Sequence, residues 1–395
     1  MSMKRTTLYI VLGLTALVSC GRTATEPMSV RMVRSEMSRC PDATYLDFCE
    51  GKVSWNYTPG LEMKAFLDVY DTYGGDSILG YVDSWYDACI EDDGHIKYYY
   101  KGDYTVDKVC PARTLYSLID DTGKDKYRFA VDSMMTRLSR HPRTSEGAFW
   151  HKTIYPSQIW LDGLYMAEPF YAEYAVRYAR DNEAAYKDII NDFVVAARHT
   201  YDPATGLYRH AWDETRSMFW CDPQTGQSQH CWGMALGWYC MALVEVLEIL
   251  PEDAEGRGNL LEILRGIVDV LPSFADPDTG MWYQVLDCPG REGNYLEATC
   301  YAMFSYTLLK GVRLGYLDAS LEDYARKVYD GLVRTFITED EDGLISINQC
   351  CSVGGLGGKA MRMGDYDYYL SEPVRSNDPK GVGPFIWASL EMERR

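Results

Sequence analysis

Asp162 is the residue in this chain whose neighbours best suit acid–base chemistry. It lies in an aromatic run, residues 149–166, and Lys152 precedes it by ten positions. A carboxyl group among indole and phenol rings is partly desolvated, which raises its pKa and lets it hold a proton near neutral pH. Aromatic faces cover the C–H surface of sugar rings, and a cation suits an acidic sugar. The run therefore predicts a carbohydrate site, although Asp162 could equally cap a helix that begins near Leu164.

Asp107 and His210 are further polar candidates, each with a structural alternative. Asp107 comes shortly before Pro111, a residue that suits a first helical turn, so a capping or turn role is the plainer interpretation on sequence alone. His210 lies in an aromatic segment, residues 208–213, and is as readily a hydrogen-bonded structural residue. Their aromatic surroundings favour a site role for both.

Two aromatic residues and a glycine-rich segment complete the candidates. Trp232 and Trp238 lie six positions apart, and each is either a cleft wall or part of the core. Residues 351–359 are rich in glycine but lack the spacing of a phosphate-binding loop. We expect this segment to rim a cleft and to bring Lys359 and Arg362 as cations.

The composition narrows the class of partner. The chain has 395 residues, 32 Tyr and 10 Trp, and its formal net charge is −19. Such amphipathic rings are typical of surfaces that bind polar, ring-shaped ligands. The acidic balance argues against nucleic acid as a partner, because phosphate binding needs a basic face. An acidic sugar remains compatible if the site supplies its own positive charge.

The first 20 residues predict an export signal. Lys4 and Arg5 precede an apolar run that ends near Cys20, and the run is too short for a comfortable membrane span. Its end resembles a bacterial lipobox, so we expect Cys20 to be lipidated and the lipid to be the protein's only membrane contact. Residues 21–44 are then a flexible tether. The mature protein would be periplasmic or an outer-membrane lipoprotein.

The cysteine and histidine spacing predicts no metal site and no cofactor. No Cys-x-x-Cys or His-x-x-x-His pair occurs. Cys221 and Cys231 lie on either side of His230 and could bind a metal, but buried free thiols are the commoner outcome. A chain of this length also needs no disulfide framework, because its core is large enough to fold alone.

Helical periodicity dominates from Trp55 onward, and no long strand pattern competes with it. Similar Asp- and Gly-containing turns recur near residues 92–96, 202–208, 276–282 and 342–345. They lack the ligand spacing of calcium loops and are expected to be plain turns. Repeated turns between helices predict helical hairpins arranged as a toroid or solenoid. Residues 45–395 are expected to form one domain.

The chain resembles the unsaturated rhamnogalacturonyl hydrolases, glycoside hydrolase family 105. The segments that carry the resemblance span nearly the whole predicted domain and occur in the family's order: residues 55–57, 149–152, 158–166, 232–239, 282–287, 293–298 and 371–373. The resemblance implies an all-α fold, an (α/α)6 barrel of six helical hairpins. It also implies removal of a 4,5-unsaturated uronic acid from the non-reducing end of lyase-generated oligosaccharides, by hydration of the enol ether double bond.

Site roles follow from the resemblance position by position. Asp162 matches the carboxyl that protonates C4 and then activates water, and Asp107 matches a supporting second carboxylate. Polar substrate contacts are implied for Lys152 and His210. Stacking or wall contacts are implied for the three tryptophans Trp160, Trp232 and Trp238.

One departure concerns the acidic group of the substrate. Family members usually carry an arginine two positions after the first tryptophan of the Trp232 segment, whereas this chain has Met234. A thioether does not replace a bidentate arginine contact to a carboxylate. We expect another cation to compensate, from Lys152, Arg291, Arg362 or His210, or the substrate to differ.

Two other functions stay open on the sequence alone. An ordinary inverting glycosidase would use two carboxylates, Asp162 with either Asp107 or Glu297. A glycan-binding lipoprotein without turnover would keep the fold, and Met234 would be its inactivating change. Activity on saturated substrates would identify the first, and binding without turnover the second.

Overall fold

The computed structural model describes residues 26–100, 102–179 and 182–394, and these residues are mainly helical. The helices are α1 Met28–Arg39, α2 Tyr57–Tyr73, α3 Asp76–Cys89, α4 Leu115–Thr122, α5 Asp125–Leu138, α6 Leu161–Tyr178, α7 Glu183–Thr200, α8 Gly233–Ile249, α9 Arg257–Val270, α10 Ala298–Arg313, α11 Glu322–Phe336, α12 Tyr366–Ser371 and α13 Pro379–Glu393. Short strands form three antiparallel pairs: β1 Gln158–Trp160 with β2 Ala211–Asp213, β3 Ile337–Glu339 with β4 Ile345–Ile347, and β5 Cys350–Cys351 with β6 Val374–Arg375.

The long helices form an (α/α)6 barrel, which confirms the predicted fold. An inner ring runs through α2, α4 with the 3₁₀ turn before it, α6, α8, α10 and α13, and α13 packs back against α2. Each inner helix packs against an outer partner: α3, α5, α7, α9, α11 and, for α13, α1. The six helical hairpins that the family resemblance implied are therefore present, and the ring closes.

Burial explains which helices lie inside. Every residue of α8 from Gly233 to Leu247 is buried, so this helix can only occupy the interior. Outer α11 buries one apolar stripe and leaves its other faces charged. Inner helices also approach closely: a Cβ at Gly237 of α8 would lie 2.7 Å from Sδ of Met303 on α10, so glycine permits this packing.

The position of helix α1 shows that the predicted boundary between tether and domain is wrong. Residues 21–44 were predicted to be a flexible tether, but within them Met28–Arg39 is helical, and Met32 and Val33 are fully buried. Ser29 donates its backbone N–H to Glu393 of α13 at 3.0 Å, and Arg39 contacts the backbone of Ile345. The domain therefore begins at α1, because α1 is the outer helix that pairs with α13. A short polar helix with few apolar residues gave no clear periodic signal.

The predicted export signal and Cys20 lie outside the described residues. Within the described ranges, no helix is long and apolar enough to cross a membrane. Eleven cysteines are described, and all are free thiols.

The N-termini of the inner helices lie at the same end of the barrel. Five inner helices are each followed in the chain by an outer partner, and α13 pairs with α1, so the inner helices run in the same direction and their N-termini meet at one end of the ring. Helix N-termini carry partial positive charge and unpaired N–H groups, which favour anions. The residues just before or within these first turns include Tyr57, Asp107, Asp162, Trp232 and Asp378.

Candidate active site

The β1–β2 ribbon brings Asp162 and His210 together. Trp160 at the end of β1 pairs with Ala211 at the start of β2, and the N–H of Leu161 donates to the carbonyl of His210 at 3.0 Å. Helix α6 begins directly after β1, so Asp162 lies in its first turn. A ribbon between two distant segments thus places the carboxyl and the imidazole at the same end of the barrel.

Asp162 does not cap α6, so the alternative interpretation of this residue as a helix cap is wrong. The N-cap position is Trp160, and no side chain caps the helix. Asp162 Oδ2 lies 3.2 Å from His210 Nε2, and neither atom has a well-aligned hydrogen-bond partner among the described residues. His210 is fully buried, and its Nδ1 lies 2.8 Å from the hydroxyl of Tyr369. The Asp162 side chain is 13% exposed, so it can meet a ligand while its Oδ2 is held beside His210.

Asp107 forms an ion pair with Lys152 beside this carboxyl. Thr105 pairs with Lys152 across an isolated bridge, and Lys152 Nζ lies 2.5 Å from Asp107 Oδ2. Burial alone would raise the pKa of Asp107, but the charge of Lys152 and its hydrogen bond to the carboxylate hold it below its usual value. The pKa of Lys152 is raised, since its contact with Asp107 outweighs burial. Asp107 is therefore an ionised carboxylate with a fixed cation.

Aromatic rings enclose these polar groups. Trp160 is stacked between His151, at a centroid distance of 4.5 Å, and Tyr155, at 4.8 Å. Trp232 is stacked on Tyr369 at 5.8 Å, and the His210 ring lies 4.9 Å from Trp232. The site is thus a narrow aromatic cleft with Asp162 and His210 in its wall.

The glycine-rich segment, residues 351–359, packs over Trp232, and we call it the roof of the cleft. A Cβ at Gly354 would lie 2.4 Å from the indole of Trp232, so only glycine lets the backbone approach this ring. Gly357 pairs with Arg362 in a tight hairpin. A Cβ at Gly355 would lie 2.7 Å from Arg362 Nη1, which places the guanidinium along the roof backbone. No ion pair with a carboxylate in the described part of the chain is found for Arg362.

Trp238 packs against other rings than Trp232 does, and its substrate contact stays a prediction. It lies on α8 roughly 9 Å along the helix from Trp232, at 1.5 Å per residue. Its ring packs on Tyr57 at 6.4 Å and on Tyr165 at 4.9 Å, and only 1% of it is exposed. Met234 is also 1% exposed, one helical turn or less from Trp232.

Glu297 is excluded as the second carboxylate of an inverting pair. It is the N-cap of α10, is fully buried and accepts the N–H groups of Thr299, Cys300 and Cys351 at 3.0, 2.7 and 2.8 Å. Its oxygens are therefore engaged in holding α10 and the start of the roof segment. Helix capping is its role.

One group in the described ranges has the composition of a metal site. It consists of His230, Asp287 and Cys288. Asp287 Oδ2 lies 2.9 Å from His230 Nδ1, and its Oδ1 accepts the N–H of Cys231 at 2.9 Å. Arg209 lies 3.7 Å from the same carboxylate. The carboxylate is thus already paired with donors, and the thiol of Cys231 does not belong to this group.

Several residues of the site carried no sequence signal. Tyr57 lies in one of the segments that carry the family resemblance, and nothing else in the sequence marked it as a site residue. In the structure, burial and then the charges of Asp107, Asp378 and Asp162 raise its pKa well above the usual value. Tyr369 lies in a tyrosine-rich segment that gave no reason to pair it with His210. A pairing between distant segments cannot be read from local spacing.

Comparison with known proteins agrees with this geometry. A family model described as Glycosyl Hydrolase Family 88 matches residues 28–395. The 24.9 kDa protein in the picA locus of Rhizobium radiobacter is 40% identical over 235 residues, which cover 57% of this chain and 97% of that protein. The unsaturated rhamnogalacturonyl hydrolase YesR of Bacillus subtilis (strain 168) is 24% identical over 299 residues, which cover 74% of this chain and 78% of the relative.

Two solved structures extend the comparison. A C. acetobutylicum ATCC 824 glycoside hydrolase from family 105 is 42% identical, with a TM-score of 0.89, and the match covers 94% of this chain and all of that one. The unsaturated glucuronyl hydrolase from Bacillus sp. GL1 is 13% identical, with a TM-score of 0.66 over 93% of this chain and 95% of that one. At this identity the second similarity concerns the fold alone.

Proposed function

Because the chain belongs to the glycoside hydrolases of families 88 and 105, we propose that it removes a 4,5-unsaturated uronic acid from the non-reducing end of oligosaccharides left by a polysaccharide lyase. The observation that carries the proposal is Asp162, a partly exposed carboxyl in the aromatic cleft whose Oδ2 lies 3.2 Å from His210 Nε2. An enol ether needs one group that gives a proton and then takes one back, and a single carboxyl meets that need.

The reaction begins at the double bond between C4 and C5 of the uronate. Asp162, as the acid, donates a proton to C4, and positive charge develops at C5 and the ring oxygen. A water molecule adds at C5 and loses a proton to the Asp162 carboxylate, which restores the acid. The resulting hemiketal opens, and the next sugar leaves as an alcohol. One water is consumed, and no residue is left modified.

Asp107 and His210 support these steps. The ionised Asp107 stabilises positive charge near C5 and accepts a hydrogen bond from the incoming water or a sugar hydroxyl. His210, fixed by Tyr369, holds the Asp162 oxygen in place during both transfers.

The carboxylate of the sugar needs a positively charged partner that is not already paired with an acidic group of the protein. Lys152 is already paired with Asp107. Arg362 lies along the roof next to Trp232 without a described acidic partner. We assign to Arg362 the contact with the uronate carboxylate that Met234 does not make, and the N-termini of the inner helices add a favourable field.

The test is a screen of lyase digests of pectin, glycosaminoglycan and ulvan-type polymers, followed by the ultraviolet absorbance of the conjugated enol carboxylate. We expect absorbance to fall in one class of digest and kcat to fall by about 10²–10⁴ in Asp162→Asn. Asp278→Asn, at an exposed turn, is the matched control. Turnover of saturated glycosides alone, or near-normal turnover in Asp162→Asn, would refute the proposal.

Export is part of this proposal and rests on the sequence of residues 1–20. We propose that Cys20 anchors the protein by a lipid in the outer membrane, or that the processed protein is periplasmic. Labelling of cells with a radioactive fatty acid should mark the wild type and not Cys20→Ser. Equal labelling of both would contradict the anchor.

A further inference from the structure

A small cavity lies behind the catalytic cleft, on the side of His151 opposite Asp107. Apolar residues form most of its wall, and the polar groups in it come from four residues: Trp150, His151, Glu168 and Asp192. Trp150 Nε1 and His151 Nδ1 are buried and have no hydrogen-bond partner among the described residues. Buried polar atoms are almost always paired, by protein or by ordered water, so two such atoms on one cavity need an explanation.

The environment of His151 determines which of its nitrogens carries the proton. Its Nε2 lies 3.5 Å from Asp107 Oδ1, and burial lowers the pKa of the imidazole to about 4. The ring is therefore neutral at neutral pH. Because Asp107 is ionised, the proton must be on Nε2, where it can face the carboxylate. Nδ1 is then a bare acceptor that needs a donor. The charged or titratable groups that face His151 are Asp107, Lys152, Asp162 and His210.

Two buried carboxyl groups form the far wall of the cavity. The carboxyl groups of Glu168 on α6 and Asp192 on α7 are 1% and 2% exposed and share a hydrogen bond. Burial, then the neighbouring Asp192, raises the pKa of Glu168 well above its usual value, and burial raises that of Asp192 to about 7. Two buried carboxyl groups that share a hydrogen bond cannot both be charged, so the pair retains a proton near neutrality. Arg143 and Asp188 also face this pair.

Gly163 lets helix α6 pack closely against His151. A Cβ at this position would lie 3.0 Å from His151 Nδ1, so a side chain here would crowd that atom. The glycine directly after Asp162 therefore keeps Nδ1 free of a side chain. Water is a ligand that fits these polar groups, because Trp150 and the acid pair offer donors and His151 Nδ1 offers an acceptor.

We propose that this cavity binds one ordered water molecule that links His151 Nδ1 to the Glu168–Asp192 pair, and that this hydrogen-bonded link fixes the Nε2–H tautomer of His151 and thereby positions Asp107. His151, Glu168 and Asp192 are positioning residues, since none of them touches the substrate. The water site is a property of the resting protein, and only its effect on turnover rests on the proposed function. Stacking of His151 on Trp160 at 4.5 Å transmits the same orientation to the cleft wall.

The matched control is a second buried acid pair elsewhere in the barrel. Glu36 and Glu62 are 4% and 1% exposed, and burial raises both pKa values. The groups facing Glu62 are Glu36, Asp47, Asp378 and Arg39, and none of them lines the cavity. Glu62→Gln therefore makes the same chemical change without touching the proposed water.

The experiment measures the ¹⁵N resonances of His151 in histidine-labelled protein, assigned with His151→Gln, together with kcat and KM. We expect a neutral imidazole with its proton on Nε2, a shifted Nδ1 resonance in Glu168→Gln, and kcat lowered about tenfold at unchanged KM, as for residues that orient a reacting group. Glu62→Gln should leave the resonance and kcat unchanged. A proton on Nδ1 in the wild type, or an unchanged resonance or kcat in Glu168→Gln, would overturn the proposal. Because the spectra need no substrate, failure of the proposed function would be seen separately.

Discussion

Lys152 Nζ lies 2.5 Å from Asp107 Oδ2, and this contact keeps a carboxylate ionised inside an aromatic cleft. The bridge between Thr105 and Lys152 holds the two segments together. The contact distinguishes the two acids of the site by their partners: Asp107 is paired with a lysine, whereas Asp162 lies 3.2 Å from His210 Nε2.

Loss of Lys152 should change the pH dependence of turnover. In Lys152→Met the cation that lowers the pKa of Asp107 is gone and burial remains, so this pKa rises. The acid limb of the kcat profile should move upward by about one pH unit or more. Lys327→Met, on the exposed face of α11, is the control. An unmoved acid limb would show that Asp107 does not titrate with turnover.

Tyr369→Phe should weaken turnover without unfolding the barrel. It removes the hydroxyl that lies 2.8 Å from His210 Nδ1 and keeps the ring stacked on Trp232. A hydrogen bond of this kind contributes about 1 kcal/mol, which corresponds to a roughly fivefold fall in kcat. Steady-state kinetics with a thermal melt measures both quantities. A larger effect on KM than on kcat would assign Tyr369 to substrate binding instead.

Arg362→Met should raise KM for the acidic substrate. The guanidinium on the roof is the charge assigned to the uronate carboxylate, and a hydrogen bond to a charged group contributes about 1.5–3 kcal/mol. We therefore expect KM to rise by about tenfold or more, with partial recovery in Arg362→Lys. Lys359→Met, at an exposed neighbouring position, is the comparison. Equal KM values in all three variants would exclude Arg362 from carboxylate binding.

Met234→Arg should change selectivity between unsaturated uronates. Met234 is buried near Trp232 at the start of α8, so an arginine there competes with Arg362 for the same carboxylate. The measurement is the ratio of kcat/KM for unsaturated glucuronyl and galacturonyl disaccharides. Met234→Leu keeps the volume and should keep the ratio. Unchanged kinetics on every disaccharide in a folded Met234→Arg protein would remove position 234 from substrate selection.

Glu36→Gln should flatten the pH dependence of folding stability. Burial, against the charge of Arg39, raises the pKa of Glu36 from 4.5 to about 7. The folded state therefore holds this proton more tightly than the unfolded chain. Its contribution is fully present below pH 4.5 and is lost as pH rises toward 7, at up to about 1.4 kcal/mol per pH unit.

Denaturant unfolding of wild type and Glu36→Gln between these pH values measures the difference. Asp330→Asn, at an exposed position on α11, should behave like the wild type. Parallel stability curves for wild type and Glu36→Gln would show that the Glu36 carboxyl is not protonated in the folded protein. The result also reports on α1, because Glu36 is one of its buried residues.

The sequence by itself predicted the mainly helical fold and located the residues proposed for its site. Residues 233–249 form α8, because a run of apolar residues of that length has one stable backbone form in a core. The aromatic run identified Asp162, Lys152 and Trp160, since residue types close in sequence share an environment. The resemblance to family 105 added the barrel and the roles.

Only the tertiary structure decided how distant segments meet. The β1–β2 pairing joins His210 to Asp162, and barrel closure turns α1 from a predicted tether into the outer partner of α13. The tertiary structure also packs Trp232 on Tyr369 and Trp238 on Tyr165, and it brings Glu168 against Asp192. Helical periodicity reports which residues share a face of one helix, whereas these contacts depend on packing between helices and loops far apart in the chain.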